Sequence, residues 1–536
     1  MMRTLTESLW TADHSRPIVE LTVGELLRQA AADVPDKCAV ISVGPGREDR
    51  TWTYAELLDD AERAASWLLD RFQPGEHVAV WAPNVPEWLV LQYGAALAGL
   101  VLVAVNPALR DGELAYALRR AECVGVFSVG EFRGTDMASM VQRVCADIPE
   151  IRENVDLNGW LPRVRATAPR AELPVVAPEA PTQIQFTSGT TGSPKAAVLA
   201  HRAMVSNAAF VRERCGLAAG ATYATALPLF HTAGCGLAVM GSFYDRATLV
   251  LAEIFDPATV LKGMADHRAA AFGGVPLMLH ALLGFPGREE FDLSALTVLM
   301  SGGDAVPAAL IDGWARAYGV GSSAVYGQTE ASPIICQTSP ADAPEDALHT
   351  AGQPLPNADV AILDPDTGAV APIGAEGEIC ARGYQVMLGY LGMPEATART
   401  VDADGWLHTG DLGTMDARGY VTVTGRLKDL IIRGGENIYP REVEEALVEH
   451  PAVANAAVLG RRDEAWGEQV VAVVTLDPAQ DAPSADDLHA HVRGLLAPHK
   501  TPRDWYVVTE LPVNAMGKLQ KFRLRDGIEA GDLQPL

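Results

Sequence analysis

Short apolar segments alternate with amphipathic segments between residues 77 and 129. The apolar segments read VAVWA, LVLVAV and VGVFSV, and the segments between them, EWLVLQYGAALAG and ELAYALRRAE, carry apolar residues at helical spacing. This alternation is typical of strand, helix, strand units in a parallel sheet. The same order returns further along the chain, with a predicted strand at 296–300, a helix over 308–318 and a strand at 323–326. Loops that follow such strands commonly carry a binding site.

From residue 357 onward the pattern changes to short strands separated by turn residues, as in ADVAIL, DPDTG, EGEICARG and YVTVTG, which favours an antiparallel sheet. Beyond Gly425, an acidic helix over 440–449, two strands and a helix over 488–496 predict a compact α+β domain. The expected fold class is multi-domain α/β. We expect a large N-terminal domain over 1–425, made of parallel α/β subdomains with a smaller antiparallel part, a boundary at 426–429, and a small α+β domain over 430–536. The segment 161–181, rich in Pro and Ala, is expected to be a surface linker.

Composition narrows the classes of protein to consider. The chain has 536 residues, 48% of them hydrophobic, so several folding units with a large core are expected, and no run of 18 apolar residues offers a transmembrane helix. The net charge of -26 argues against a nucleic-acid or anionic-membrane surface. Seven scattered cysteines, none spaced as Cys-x-x-Cys, predict reduced thiols rather than disulfides or a zinc site. The first residues do not resemble a signal peptide, so a cytoplasmic location is expected.

A segment dense in hydroxyl groups follows a predicted strand at 182–186. Between Thr187 and Lys195 it holds five hydroxyl residues, two glycines and one lysine. Glycines let backbone N–H groups approach an anion, while hydroxyls donate hydrogen bonds and the lysine supplies charge, so the segment predicts phosphate binding. It is not a Walker loop, because Pro194 precedes the lysine and Ala196 follows it. The alternative is a polar surface turn.

Further motifs follow this loop in a specific order. They are PLFHTAGCG around His231, GGVP at 273–276, SGGD at 301–304, YGQTE at 326–330, TGD ending at Asp411, GRLKD with Arg426 and Lys428, RGGEN with Gly434 and Gly435, and MGK ending at Lys518. From residue 52 to residue 521 the chain resembles the adenylate-forming superfamily, which contains acyl-CoA synthetases, adenylation domains of nonribosomal peptide synthetases, and luciferases. The resemblance implies that an organic acid reacts with ATP to give an acyl-adenylate and pyrophosphate, and that the acyl group then passes to a thiol.

The resemblance also implies which residues bind ATP, Mg²⁺ and CoA. Glu330 would hold Mg²⁺, although a solvated surface glutamate is the alternative. Tyr326 would stack on adenine, Asp411 would accept from both ribose hydroxyls, and Arg426 would donate beside it. The residues expected at ATP are Thr187, Ser188, Gly189, Thr190, Thr191, Gly192, Lys195, Gly302, Gly303, Asp304, Tyr326, Gln328, Thr329, Asp411 and Arg426.

Three catalytic residues follow from the same resemblance: Lys518, His231 and Glu330. The Lys518 ammonium would bridge the attacking carboxylate and the α-phosphate at the transition state. Residues 426–429 would be a hinge, with Lys428 at its centre, about which a mobile C-terminal domain swings between its adenylating and thioesterifying poses. Gly434 and Gly435 would form part of the tunnel for the pantetheine arm of CoA, the alternative being a hairpin turn. His231 would lie at the mouth of the acid pocket, unless it is a hydrogen-bonded core histidine.

The identity of the acid rests on the predicted pocket lining. That lining is mostly small and apolar: Phe230, His231, Cys235, Met240, Gly274, Val275, Gly327, Ala331 and Ser332. Relatives specific for acetate have tryptophan at the position of Gly327, and relatives that activate amino acids have an aspartate near the segment matching PLFHTAG. Neither residue is present, so a bulky fatty, aryl or polycyclic acid is expected.

The sequence leaves three functions open. The first is an acyl-CoA ligase. The second is an adenylating enzyme that loads an acyl carrier protein or passes the adenylate to a partner transferase. The third is a nucleotide-binding regulatory protein without catalysis, which the presence of Lys518, Glu330 and Asp411 disfavours. The oligomeric state is left open, a dimer included.

Overall fold

The computed structural model describes residues 4–187, 194–304, 306–433, 436–463, 466–513 and 519–536. The chain folds as two compact units. The larger unit comprises Leu9–Val360 and Cys380–His408, and the smaller comprises the N-terminal residues up to Ser8, Ala361–Ile379 and Thr409–Leu536. Several sheets with helices between their strands confirm the expected multi-domain α/β class. The hinge at 426–429 stays a prediction.

A nine-stranded sheet in the larger unit is parallel through its middle and antiparallel at both edges. Its central strands are short. In spatial order the strands are Gln353–Pro354, Ile334–Gln337, Gly321–Gly327, Val298–Gly302, Ala271–Gly273, Tyr223–Thr225, Leu249–Ala252, Cys38–Val43 and Arg50–Thr53.

A seven-stranded sheet in the same unit contains the strands predicted between residues 77 and 129. These pair in parallel, as the alternation of strands and helices predicts, and all five residues of VLVAV are buried because helices cover parallel sheets on both faces. In spatial order the strands are Gly389–Tyr390, Lys195–Ala200, Pro181–Thr187, Val101–Val105, His77–Trp81, Cys123–Ser128 and Glu153–Asp156. A separate hairpin joins Glu131–Phe132 to Thr135–Asp136.

Some helices of the larger unit begin at residues suited to capping. Thr22 and Thr53 each start a helix with a capping box, in which the threonine hydroxyl and a glutamate three residues later satisfy free N–H groups. The α-helices are Val23–Asp33, Tyr54–Leu69, Glu87–Leu97, Asp111–Arg120, Met137–Ala146, Trp160–Arg165, His201–Arg214, Gly241–Tyr244, Pro257–Asp266, Pro276–Leu283, Ala308–Tyr318, Pro344–His349 and Pro394–Thr400. Ala233–Met240 is a π-helix, and Leu157–Gly159, Arg288–Glu290 and Thr329–Ala331 are 3₁₀ turns.

The C-terminal region has its own sheet and core. Val453–Asp463 and Gly467–Leu476 form a long antiparallel pair, joined by Glu436–Ile438, Ile431–Arg433, Asp504–Val507 and Gln534–Pro535. The α-helices are Pro440–Val448, Ala485–Leu495 and Lys521–Ala530, with 3₁₀ turns at Leu427–Asp429 and Pro498–Lys500. A five-stranded sheet contains Leu9–Trp10, Ala358–Leu363, Gly377–Gly383, Leu407–Met415 and Val421–Arg426.

The prediction of a surface linker over 161–181 is wrong at its start. Helix Trp160–Arg165 buries Leu161 and Val164 in the core, because the apolar residues of WLPRV face one side of a helical turn. The seven cysteines form no disulfide bond among the described residues. Across the stretches of chain described above, no helix combines the length and apolarity that crossing a bilayer requires.

Candidate active site

The predicted motifs lie at the ends of four adjacent strands of the nine-stranded sheet. The strands Tyr223–Thr225, Ala271–Gly273, Val298–Gly302 and Gly321–Gly327 are parallel neighbours, so their carboxyl ends meet at one edge. The segment after each strand carries one motif: His231 after the first, Val275 after the second, Asp304 after the third and Glu330 after the fourth. This edge is where open α/β sheets bind their ligands.

Close approach of two of these strands explains the glycine at the end of the third. Gly302 pairs with Val325, and a Cβ atom on Gly302 would lie 2.2 Å from the Val325 carbonyl oxygen. Gly303 has φ +83°, a left-handed conformation that favours glycine. A Cβ atom there would lie 3.9 Å from Val275 Cγ1, which brings the SGGD and GGVP segments together.

The residues expected around the nucleotide base and phosphates differ in exposure. Asp304 is exposed, whereas Tyr326, Gln328 and Thr329 are half-buried. Gln328 Nε2 is buried, and no described residue accepts a hydrogen bond from it. A buried amide without an acceptor costs free energy, so this group fits a bound nucleotide that would supply one.

Glu330 is held by a tyrosine that lies 60 residues further along the chain. The carboxylate is buried, with 7% of the residue exposed, and Tyr390 Oη donates to its Oε1 at 2.7 Å. Burial, and then the nearby Glu330 charge, raise the pKa of Tyr390 far above its usual range, so the hydroxyl keeps its proton and remains a donor. The Lys195 ammonium lies 4.7 Å from the centroid of the Tyr390 ring, within cation–π range.

The ends of the predicted phosphate loop are paired in the seven-stranded sheet. Thr187 lies opposite Lys195 in the antiparallel ladder, which closes the base of the loop. Tyr116 Oη donates to the carbonyl oxygen of Pro194 at 2.9 Å, beside the lysine. The predicted phosphate ligands between these ends lie outside the described residues: Ser188, Gly189, Thr190, Thr191 and Gly192.

His231 lies two residues before the π-helix. Its Nδ1 accepts from the backbone N–H of Ala233 at 3.2 Å, so this nitrogen is unprotonated and Nε2 carries any proton of the neutral ring. A Cβ atom on Gly234 would lie 2.2 Å from the carbonyl oxygen of Pro228, which explains a glycine in this tight turn. Single π-turns are frequent at functional sites.

The predicted acid-pocket residues fall into two groups. Phe230, His231, Val275 and Gly327 are half-buried, whereas Gly274 is buried and Cys235 and Ala331 have no exposed surface. Cys235 Sγ donates to Gln183 Oε1 at 3.2 Å, and burial raises the pKa of the Cys235 thiol to about 12. Met240 and Ser332 are also buried. Cys235 therefore stands in the core behind the loops, not at an open surface.

In the smaller unit, the predicted ribose ligands form a direct pair. Asp411 lies opposite Arg426 in the antiparallel hairpin Leu407–Met415 and Val421–Arg426, and Arg426 Nε donates to Asp411 Oδ1 at 3.0 Å. Only 10% of the Asp411 side chain is exposed. Lys428, the predicted hinge residue, is exposed within the 3₁₀ turn that follows.

The remaining predicted residues of the smaller unit, Gly434, Gly435 and Lys518, lie outside the described residues. The chain on either side of the Lys518 segment is anchored. Val513 forms a bridge with Leu519, and the Lys521 ammonium contacts Glu444 Oε1 at 2.6 Å.

Comparisons with known proteins match two parts of the chain. A family profile described as "AMP-binding enzyme" matches residues 27–391, and one described as "AMP-binding enzyme C-terminal domain" matches residues 442–518. The chain belongs to the AMP-binding enzymes. The resemblance to the adenylate-forming superfamily is thereby confirmed.

Relatives of this AMP-binding enzyme cover nearly its whole length. It is 35% identical to acyl-CoA ligase SID4 of Ajellomyces capsulatus, over 95% of this chain and 91% of that protein. It is 32% identical to the human mitochondrial medium-chain acyl-CoA ligase ACSF2, over 95% and 88%. The crystal structure of ATP-bound MatB from Rhodopseudomonas palustris superposes with a TM-score of 0.86 at 30% identity, covering 95% of this chain and 99% of MatB. The expected class, an AMP-forming acid–thiol ligase using ATP, Mg²⁺ and CoA, is confirmed.

The residues of the larger unit fit Mg²⁺ bound together with a triphosphate. Mg²⁺ prefers oxygen ligands and commonly uses one or two carboxylates beside phosphate oxygens and water. Glu330 offers such a carboxylate, and its hydrogen bond from Tyr390 occupies Oε1 alone. Tyr390 itself was not among the predicted site residues. Its strand, Gly389–Tyr390, has two residues and is too short for a periodic signal.

Proposed function

We propose that this AMP-binding enzyme activates a bulky hydrophobic carboxylic acid, fatty, aryl or polycyclic, and transfers its acyl group to CoA. The observation that carries the proposal is the edge of the nine-stranded sheet, where His231, Val275, Asp304 and Glu330 follow four neighbouring parallel strands. The segment around His231, PLFHTAGCG, contains no acidic residue that could hold an ammonium group. The medium-chain acyl specificity in the name of the human relative supports the fatty branch of the proposal.

In the first half-reaction, a carboxylate oxygen attacks the α-phosphorus of ATP. The bond to the bridging oxygen breaks, and pyrophosphate leaves. Both reactants are anions, so the site needs cations where charge accumulates. We assign that role to Lys518, with Lys195 at the β- and γ-phosphates, and Mg²⁺ held by Glu330 would neutralise triphosphate charge when bound. Tyr326 would stack on adenine, and the Asp411 and Arg426 pair would bind the ribose.

In the second half-reaction, the CoA thiol loses its proton to solvent and its sulfur attacks the acyl carbonyl carbon. The bond from that carbon to the phosphate oxygen breaks, which yields the thioester and AMP. Lys428 would allow the C-terminal domain to rotate and to present its other face to the adenylate. Gly434 and Gly435 would border the pantetheine arm of CoA. The domain limits at 425 and 430 belong to this proposal.

A panel of acids tests the substrate class. The enzyme is incubated with ATP, Mg²⁺ and each of a set of acids from acetate to long fatty, aryl, polycyclic and amino acids, with and without CoA. Mass spectrometry detects adenylate and thioester separately, and exchange of labelled pyrophosphate into ATP reports the first step. We expect bulky hydrophobic acids to give both products and acetate and amino acids to give neither. A preference for acetate or for an amino acid would overturn the proposed class.

The alternative acceptor is a carrier protein or a partner transferase. Incubation with CoA as the sole thiol separates the two, because a carrier-dependent enzyme would form the adenylate and stop there. The cytoplasmic location stays a prediction.

A further inference from the structure

Tyr390 lies between two side chains that the proposed function places at the triphosphate. Its hydroxyl donates to Glu330 Oε1 at 2.7 Å, and its ring centroid lies 4.7 Å from the Lys195 ammonium. One end of the tyrosine therefore contacts the proposed metal ligand, and its face contacts the proposed phosphate ligand. Only 6% of Tyr390 is exposed, so its hydroxyl and most of its ring are shielded from water, whereas Lys195 is half-buried.

The backbone of Tyr390 is fixed from both sides. It pairs with Ala197 in the antiparallel ladder, two residues beyond Lys195 on the same strand. Side chains two residues apart on a strand point to the same face, which places the Lys195 side chain over the tyrosine. On the other side, the Tyr390 N–H donates to Thr397 Oγ1 at 2.9 Å.

The same segment also holds the main chain of Glu330. The Met387 N–H donates to the Glu330 carbonyl oxygen at 2.8 Å, three residues before the tyrosine whose hydroxyl binds the Glu330 side chain. Glu330 is therefore bound at its backbone and at its carboxylate by one short stretch of chain. A glutamate carboxyl group otherwise rotates easily about its last side-chain bond, because that torsion is broad.

We propose that Tyr390 is a positioning residue that fixes the Glu330 carboxylate through Oε1 and so presents its other oxygen to Mg²⁺. The inference rests on the proposed function, in which Glu330 binds the metal. A hydrogen-bond donor to a ligating carboxylate sets its orientation, and loss of such a partner typically weakens metal binding about 10-fold to 100-fold. The ring has a second task, since it also orients the Lys195 ammonium.

Tyr390→Phe separates these two tasks, because it removes the hydroxyl and keeps the ring. Isothermal titration calorimetry measures the Kd for ATP in excess Mg²⁺ and in EDTA, without any turnover. In the wild type, Mg²⁺ is expected to tighten ATP binding. In Tyr390→Phe we expect that gain to fall about 10-fold, while the Kd in EDTA stays at the wild-type value because Lys195 keeps its aromatic neighbour.

Tyr384→Phe is the matched control. Tyr384 is a half-buried tyrosine of the same segment, whose hydroxyl accepts from Asn207 Nδ2 at 3.5 Å and whose ring packs edge-on against Phe210, with no hydrogen bond or ring contact to Glu330 or Lys195 among the described residues. It should leave both Kd values unchanged. In a Glu330→Gln background, Tyr390→Phe should have no further effect on the gain from Mg²⁺. If Tyr390→Phe does not fold, the smaller Tyr390→Leu also removes the hydroxyl without adding a donor and should show the same loss of the gain from Mg²⁺.

The outcomes separate this inference from the proposed function. A wild-type gain from Mg²⁺ that survives in Tyr390→Phe, or that falls equally in Tyr384→Phe, overturns the role of Tyr390 and leaves the function standing. A wild type that does not bind ATP, or binds it equally well with Mg²⁺ and with EDTA, overturns both.

Discussion

His201 makes the stability of the larger unit depend on pH in a calculable way. It begins helix His201–Arg214 and has no exposed surface. Its Nδ1 accepts from the backbone N–H of Val23 at 3.1 Å, which requires that nitrogen to be unprotonated. Its Nε2 is buried, and none of the described residues accepts from it. Burial lowers the pKa of His201 to about 4.

The sign and size of this pH dependence of stability follow from proton linkage. An unfolded histidine has a pKa of about 6.5, so below that pH His201 is protonated in the unfolded chain and stays neutral in the folded chain. The free energy of unfolding therefore falls as pH drops from about 6.5 to about 4 and changes no further from this group below that range. The loss is about 2 kcal/mol between pH 7 and pH 5, and about 3 kcal/mol when complete.

His201→Asn removes the titration and keeps an acceptor for the Val23 N–H group. Urea unfolding followed by tryptophan fluorescence at pH 7 and pH 5 gives the loss of stability for each protein. We expect the wild type to lose about 2 kcal/mol more than His201→Asn between these two pH values. His280→Asn, at an exposed histidine, should behave as the wild type does. Equal losses in the wild type and in His201→Asn would refute the reasoning.

Three further predictions concern the proposed chemistry. Lys518→Ala should abolish pyrophosphate exchange and still convert supplied acyl-adenylate into thioester; equal loss of both steps would reject Lys518 as the adenylating cation. Lys428→Pro should preserve adenylate formation better than thioesterification, because proline fixes φ at about -65° within the 3₁₀ turn. The control Lys428→Ala should spare both steps. A larger loss of adenylate formation than of thioesterification in Lys428→Pro would exclude the hinge. At Gly327 a Cβ atom would lie 2.0 Å from the carbonyl oxygen of Pro333, so both Gly327→Ala and Gly327→Trp should lower the melting temperature. Only Gly327→Trp should also lower the ratio of kcat/KM for long acids to kcat/KM for short acids. Equal ratios in the two variants would refute the pocket-depth argument.

Much of the fold could be predicted because its signal is local. The helix Ala308–Tyr318 has the bounds expected from its apolar spacing, and the parallel strands were visible as apolar runs. The helix at Trp160–Arg165 was missed because proline within it suggested a linker, although Pro162 lies in the first turn, where proline is tolerated.

Candidate site residues that belong to a sequence motif could be predicted. Residues that only tertiary contacts bring to the site could not. Glu330 is part of YGQTE, but its partner Tyr390 comes from a two-residue strand, and only the pairing of that strand with Lys195–Ala200 brings the two together. The burial of Cys235 was also unpredictable from residue type, because a small thiol suits a pocket wall and a core equally.

Four loops that border the candidate site leave the nine-stranded sheet, each from a different strand. A substitution in one of these loops therefore alters one of the four, while the hydrogen-bonded ladder beneath the other three stays intact. New acid preferences could arise by changing one loop at a time, with the architecture that supports ATP conserved. Such an arrangement lets a lineage diversify its substrates without rebuilding its framework.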